Sequence, residues 1–233
     1  MIDKIANREG IGDLLANGID KVAEEIGADF AVHIKGQEAP MHDPRGKKSL
    51  ALSYATSPRG ATHMDVVHES FTEHPPELNV KGAVDRFNLD VKPLYCKIYE
   101  DLVSFTNSLV LCAYTGWVAH FRGFYPYPLI REIIGAATGL EIGEDEMMRV
   151  GERNYNLLKL LAAREGISRN DDNLPERLKV PLPRGASADE PIPEMDLQKK
   201  IDEYYELRGW NEHGPTQETL KKLDLGELKE HMK

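Results

Sequence analysis

Residues 95–114 read YCKIYEDLVSFTNSLVLCAY. Leu94, Ile98, Leu102, Phe105 and Leu109 follow one another at spacings of four, four, three and four. That pattern draws a single apolar stripe along a helix. Pro93 suits the first turn of such a helix, and Asp90 is a candidate cap before it. Thr106, Asn107 and Ser108 then interrupt the good helix formers, and Cys112 follows among Leu109, Val110, Leu111 and Ala113. A helix that ends in a buried polar run and a cysteine is either plain core or one wall of a cofactor site.

Outward from this helix the chain reads as mainly helical with little sheet. Ile5 to Gly27 forms two helical pieces broken at residues 9–12, with Gly27 placed as a C-terminal stop. In the second piece Ile11, Leu14, Leu15, Ile19, Val22 and Ile26 share one side. Phe30 to Ile34 is a short strand candidate, and the Pro- and Gly-punctuated residues 35–48 form a loop. Residues 49–55 are helix or strand. Pro58 and Gly60 fix a turn, and residues 68–85 look irregular. The spacing predicts helices over 129–138, 144–165, 197–207 and 216–223. In the second of these Met147, Gly151, Asn154, Leu158 and Leu161 lie near one face, with Gly166 as its stop. Between 167 and 197 lies a loop-like stretch with five prolines from Pro175 to Pro193. So long a connection in a compact domain is a lid or an extended wrap.

Composition bounds the function. The chain has 233 residues, 41% apolar and 29% charged, which supports a real core under a solvated surface. No apolar run approaches the ~20 residues of a membrane helix, and the start, MIDKIANREG, has no signal-peptide apolar region. Met1 leads directly into an amphipathic helix. That fits a chain cut from a longer polypeptide, a docking subunit, or simply a domain that begins with a helix. The net charge of −10 argues against a nucleic-acid partner. Two cysteines, Cys96 and Cys112, exclude a disulfide scaffold and point to a reducing cytoplasm. Neither GxGxxG nor GxxxxGK[ST] occurs.

Few residues carry chemistry on their own terms. A thiolate near a helix C-terminus is opposed by the dipole, so Cys112 gains no reactivity from position, although a metal could deprotonate it. Cys96 lies sixteen residues earlier, ~24 Å along a continuous helix, and reads as packing. Two cysteines cannot furnish a four-thiolate cluster. His63, His68 and His74, with Asp65 and Glu69 nearby, match no metal spacing; His63, after the Arg59-Gly60 turn, suits proton transfer better. Three Pro-Arg-Gly turns, at residues 44–46, 58–60 and 183–185, each offer a fixed guanidinium for an anion. Glu152-Arg153 and Asp171-Asp172 read as structural ion pairs or solvated faces.

Several stretches, taken together, resemble the C-terminal part of the tungsten-containing aldehyde:ferredoxin oxidoreductase family. They are IANREGIGDLLANG at 5–18, HIKGQEAPMHDPRG at 33–46, LSYATSPRGATHM at 52–64 and DLVSFTNSLVLCAY at 101–114. The match continues through residues 151–178 and 204–225. The resemblance implies residues 1–48 as the end of a middle helical domain, and 49–233 as a C-terminal helical domain with a Pro-rich wrap at 175–193. It implies a bis-pterin cofactor of tungsten or molybdenum, and a [4Fe–4S] cluster whose fourth cysteine is Cys112. The cluster's other three cysteines lie upstream of this sequence. The family's pterin-contacting aspartate falls on Asn107, and its Gly-Leu-Cys on Val110, Leu111 and Cys112. His63 falls on the family's histidine near the metal. The implied reaction is oxidation of a small aldehyde to a carboxylic acid, with ferredoxin as acceptor and with the N-terminal portion as a required partner. A homo-oligomer is compatible with this. The alternatives are a family member of the aromatic acyl-CoA reductase type, and a helical interaction domain that has lost the cofactor.

Overall fold

Helix formation over residues 92–108 follows from how little of their surface faces water. The computed structural model describes residues 1–29, 31–66, 69, 78, 81–115 and 127–228. In chain order the helices are α1 (Ile2–Ala6), α2 (Ile11–Leu15), α3 (Ile19–Ile26), α4 (Lys48–Thr56) and α5 (Lys92–Ser108). There follow α6 (Tyr127–Thr138), α7 (Glu144–Arg164), α8 (Glu176–Lys179), α9 (Glu194–Arg208) and α10 (Gln217–Lys222). Two antiparallel hairpins pair β1 (His33–Ile34) with β2 (Gln37–Glu38), and β3 (Trp210–Asn211) with β4 (Gly214–Pro215). The fold is mainly α with little β, as the periodicity implies.

The expected stripe is at the centre: Ile98, Leu102 and Phe105 are buried, and Leu94 and Leu109 are half-buried against the same core. Tyr95, Tyr99 and Val103 bury a second face, so α5 is buried nearly all round, its polar Lys92, Glu100, Asp101, Ser104 and Thr106 included. Burying each such side chain contributes about 1.5–3 kcal/mol. α7, α9 and α4 pack around α5. The crossing with α7 is close because Gly151 has no side chain at the contact. Pro93 sits in the first turn of α5, as expected, but the cap is Val91 and uses no side chain, so Asp90 does not cap it.

The helix stops at Ser108 rather than continuing to Cys112. Leu109 keeps a helical conformation, and Val110 then turns left-handed at φ 58°. That is the usual conformation just past a helix end, normally taken by glycine. The polar run is also not wholly buried. Thr106 is buried and donates to the Leu102 carbonyl at 3.0 Å, whereas Asn107 and Ser108 are exposed.

The N-terminal segment makes three helices, because the chain breaks again at residues 16–18. Gly27 ends α3 left-handed at φ 64°, as its position predicts. The apolar side of these helices is only partly covered: Ile2, Ile11 and Ile26 are exposed, Leu14, Leu15, Ile19 and Val22 are half-buried, and the main core begins at Ile34. The buried face of α7 is rotated from the expected one. It runs through Met147, Gly151, Tyr155 and Lys159, while Leu158 is exposed. The reason is that Tyr155 and Lys159 have partners far along the chain, which local periodicity does not register. Gly166, at φ 93°, and Gly209, at φ 63°, follow the ends of α7 and α9.

The Pro-rich segment is a wrap tied to residues 43–48. The Arg45 guanidinium donates to the carbonyls of Arg177 and Val180, at 3.1 and 3.0 Å. Lys48 pairs with Glu190 at 2.9 Å. The Ile192 N–H closes the segment on the Lys179 carbonyl at 3.0 Å.

Candidate functional site

The turn that carries His63 is built by backbone contact and one carboxylate. At Gly60, φ is 84°, and a Cβ there would strike the Ile34 carbonyl of β1. Glycine is therefore the residue that lets the turn press onto the hairpin. Asp65 accepts from the Ser57 hydroxyl at 2.9 Å and takes the Arg59 guanidinium, which fixes the turn from the other side. His63 is left half-buried, and its ring stacks on His42, with centroids 4.4 Å apart and planes 17° apart. The His42 backbone is held in turn, its carbonyl accepting from the Tyr54 hydroxyl at 3.0 Å. Burial, with His42 adding to it, holds the His63 imidazole below its ordinary pKa. His68 and His74 lie outside the described residues. Among the described residues no three His, Cys, Asp or Glu side chains converge as a metal site.

The end of α5 presents the other expected residues. Asn107, Leu111 and Cys112 are exposed, and Val110 is 91% exposed. The Cys112 carbonyl accepts from the Thr115 N–H and hydroxyl, both at 2.9 Å, so the thiol sits on a formed turn. Packing in the core is thus not its role. Cys96 is the core cysteine: fully buried, it points its thiol at the Ser49 carbonyl at 3.4 Å, and burial pushes that thiol well up.

A cavity of 140 Å³ links the two regions. Its lining includes Asn107, Glu100 and Ser104 from α5, Arg59 and Asp65 from the His63 turn, and Tyr155 from α7. The Tyr155 hydroxyl is buried there with no hydrogen-bond partner. His63, Leu111 and Cys112 are not part of this lining.

Behind the cavity lies a charge network that sequence reasoning missed. The Arg208 guanidinium is fully buried and binds Glu100 at 2.8 Å, Asp101, and the Lys97 carbonyl at 3.2 Å. Glu100 also accepts from the hydroxyls of Ser53 at 3.0 Å and Tyr204 at 2.5 Å. Burial outweighs the attraction of Arg208 and raises the Glu100 carboxyl to about 7. A second buried group joins Asp172 to Lys35 at 2.7 Å and to Lys159 at 3.0 Å, and burial lowers Lys35 to about 8. The signal that could have found Glu100 is the second apolar face of Tyr95, Tyr99 and Val103, which leaves α5 no wet side for its acids. The Pro-Arg-Gly turns divide: Arg45 and Arg59 are structural, and Arg184 is exposed. Glu152 pairs with Lys97 at 3.1 Å, Arg153 with Asp224 at 3.2 Å, and Asp171 closes a capping box with Ser168.

These donors fit part of a cluster site. Cys112 offers one exposed thiol on an ordered turn, beside the exposed side chains of Val110 and Leu111. The sequence's other cysteine is buried with Ser49, so this chain supplies at most one of four thiolates. Exposed Asn107 offers an amide that both donates and accepts.

Comparison with known proteins identifies the family. A family model described as aldehyde ferredoxin oxidoreductase, domains 2 and 3, matches residues 1–225. The chain is 32% identical to the tungsten-containing aldehyde ferredoxin oxidoreductase of Pyrococcus abyssi, over 97% of this chain and 36% of that protein. It is 28% identical to an aliphatic sulfonate oxidoreductase, WOR-like subunit, of Pyrococcus furiosus, over 100% of this chain and 35% of that one. Among solved structures it is similar to the active-site complex BamBC of benzoyl coenzyme A reductase with 1,5-dienoyl-CoA. There the TM-score is 0.71 and the identity 25%, over 99% of this chain and 39% of the other. The chain thus spans just over a third of the length of these relatives. Among the described residues no helix is long and apolar enough to cross a membrane.

Proposed function

The chain belongs to the aldehyde ferredoxin oxidoreductase family, and on that premise we propose that it forms the end of the second domain and the third domain of a cytoplasmic tungsten or molybdenum oxidoreductase. Residues 1–48 complete the middle domain and residues 49–233 form the last. The upstream portion is the partner that brings the pterin site and the three remaining cluster cysteines. The reaction converts an aldehyde and water to a carboxylic acid, two protons and two electrons, and ferredoxin takes the electrons singly.

When bound, the bis-pterin metal supplies the two-electron redox chemistry and the [4Fe–4S] cluster the one-electron exit. This chain's residues hold and position. Cys112 ligates the cluster from its exposed turn. Asn107 hydrogen-bonds the pterin without adding charge, and Leu111 packs beside it. His63, held largely neutral, accepts or returns a proton at the substrate. The observation that carries this reading is the exposed Asn107–Cys112 segment. It is a formed turn with open apolar residues, on a helix whose cavity is shared with the His63 turn.

The test is co-expression with the upstream portion, followed by metal quantification and an aldehyde screen with ferredoxin as acceptor. Aldehyde oxidation is expected in the wild type and is lost in His63→Gln with the metals retained. A metal-loaded complex that oxidises no aldehyde contradicts the reading. The likeness to the benzoyl coenzyme A reductase complex favours a second one, reduction of an aromatic thioester, which the same screen detects when a thioester and a reductant are supplied.

A further inference from the structure

The stack of His42 on His63 joins the loop after β2 to the turn after α4, beside the Lys35 hydrogen bonds to the Ala55 and Ser57 carbonyls, and the proposed function leaves His42 without a part. The two rings are almost parallel, 17° apart, at a centroid distance of 4.4 Å. Each loop is anchored independently. His42 is held through the Tyr54 hydroxyl on its carbonyl, and the residues after it through Arg45, which pairs with Asp43 and reaches the wrap. His63 is held by the Gly60 contact on β1 and by the Arg59–Asp65 pair. The backbones that carry the two rings are thus both held, and the rings meet between them.

The charged groups on the two loops are already engaged. Asp43 is taken by Arg45, and Asp65 by Arg59. Among the described residues the His63 imidazole forms no ion pair; burial disfavours its charged form, and the charge of His42 adds to that. Two imidazolium rings face to face repel, so protonation of one ring opposes protonation of the other.

We propose that His42 is a positioning residue for His63, fixing the plane of its ring and keeping an imidazolium from forming there. This rests on the reading of His63 as the proton-handling group. His42 acts through His63 and touches no reacting atom. A carboxylate in its place would do the opposite and hold His63 charged.

The experiment is a histidine-ring NMR titration of the full chain in the wild type, His42→Phe and His42→Ala, with His63→Gln to assign the signal. Phenylalanine keeps a flat ring and removes the charge; alanine removes both. The His63 midpoint is expected to move upward in both variants. Its ring-current shift is expected to persist with phenylalanine and vanish with alanine. A His63 midpoint that stays in place in His42→Phe overturns the proposal, whatever the alanine variant does. The titration needs no cofactor, so its failure is separate from that of the functional reading. Full activity of His63→Gln in the assembled enzyme sinks the functional reading and leaves the titration standing.

Discussion

Gly151 of α7 lies against the main chain of Asp101 of α5, so closely that a Cβ on Gly151 would fall on the Asp101 carbonyl. This contact sets the depth at which the two longest helices cross, and with it the position of Tyr155 over the cavity. In an exposed helix, Gly→Ala gains about 1 kcal/mol through propensity. Here the added methyl must push two backbones apart, and overpacking of this kind costs about 1–3 kcal/mol. Gly151→Ala is expected to lower the urea midpoint of the chain. A raised midpoint would show that the helices are not locked at this point.

Val110 gives a prediction of the opposite sign. It is a β-branched residue in the left-handed region, at φ 58°, with its side chain exposed, so it carries strain and little burial. The resemblance implies glycine at this position, and glycine takes this backbone conformation without strain. Val110→Gly removes roughly 1–2 kcal/mol of strain and gives back part of that through the freer unfolded chain. A net gain of roughly 0.5–1 kcal/mol is expected in chemical denaturation. A loss would mean that Val110 makes contacts its exposure does not suggest.

The Arg208 network predicts both a large mutational effect and a pH dependence. Arg208→Met leaves Glu100 and Asp101 buried without their guanidinium, at a cost of about 3–5 kcal/mol, read as a fall in the denaturation midpoint. Glu100 titrates at about 7 in the fold against an ordinary 4.5. The native state therefore binds this proton more tightly than the unfolded chain. The Glu100 contribution is complete below about 4.5 and is lost as pH rises through about 7. Glu100→Gln removes that dependence, so the difference in unfolding free energy between pH 5 and pH 8 is expected to shrink. An unchanged difference would place the titrating group elsewhere.

Much of the helical frame was legible in the sequence, because its signals are local. The stripe from Leu94 to Leu109 and the stops at Gly27 and Gly166 each need only a few neighbouring residues, and the structure bears them out. The site was legible only in part. The Pro58–Gly60 turn and the pairing roles of Glu152, Arg153 and Asp172 could be read from residue type. The surroundings of Cys112 could not, since helix signals run on past Ser108 and one backbone angle at Val110 ends the helix. The His42–His63 stack and the Glu100–Arg208 pair were also hidden. Their partners lie 21 and 108 residues apart, and no periodicity links them.

Cys112 carries the central claim. In the chain alone its thiol is exposed, so Cys112→Ser is expected to change the unfolding free energy by less than about 0.5 kcal/mol, and the isolated chain is expected to hold no iron. The direct test is the iron content and the electron paramagnetic resonance spectrum of the reduced enzyme, assembled with the upstream portion, in wild type and Cys112→Ser. The account predicts stoichiometric iron and a [4Fe–4S] signal in the wild type, and loss or conversion of that cluster in the variant. An unchanged cluster in Cys112→Ser would contradict it.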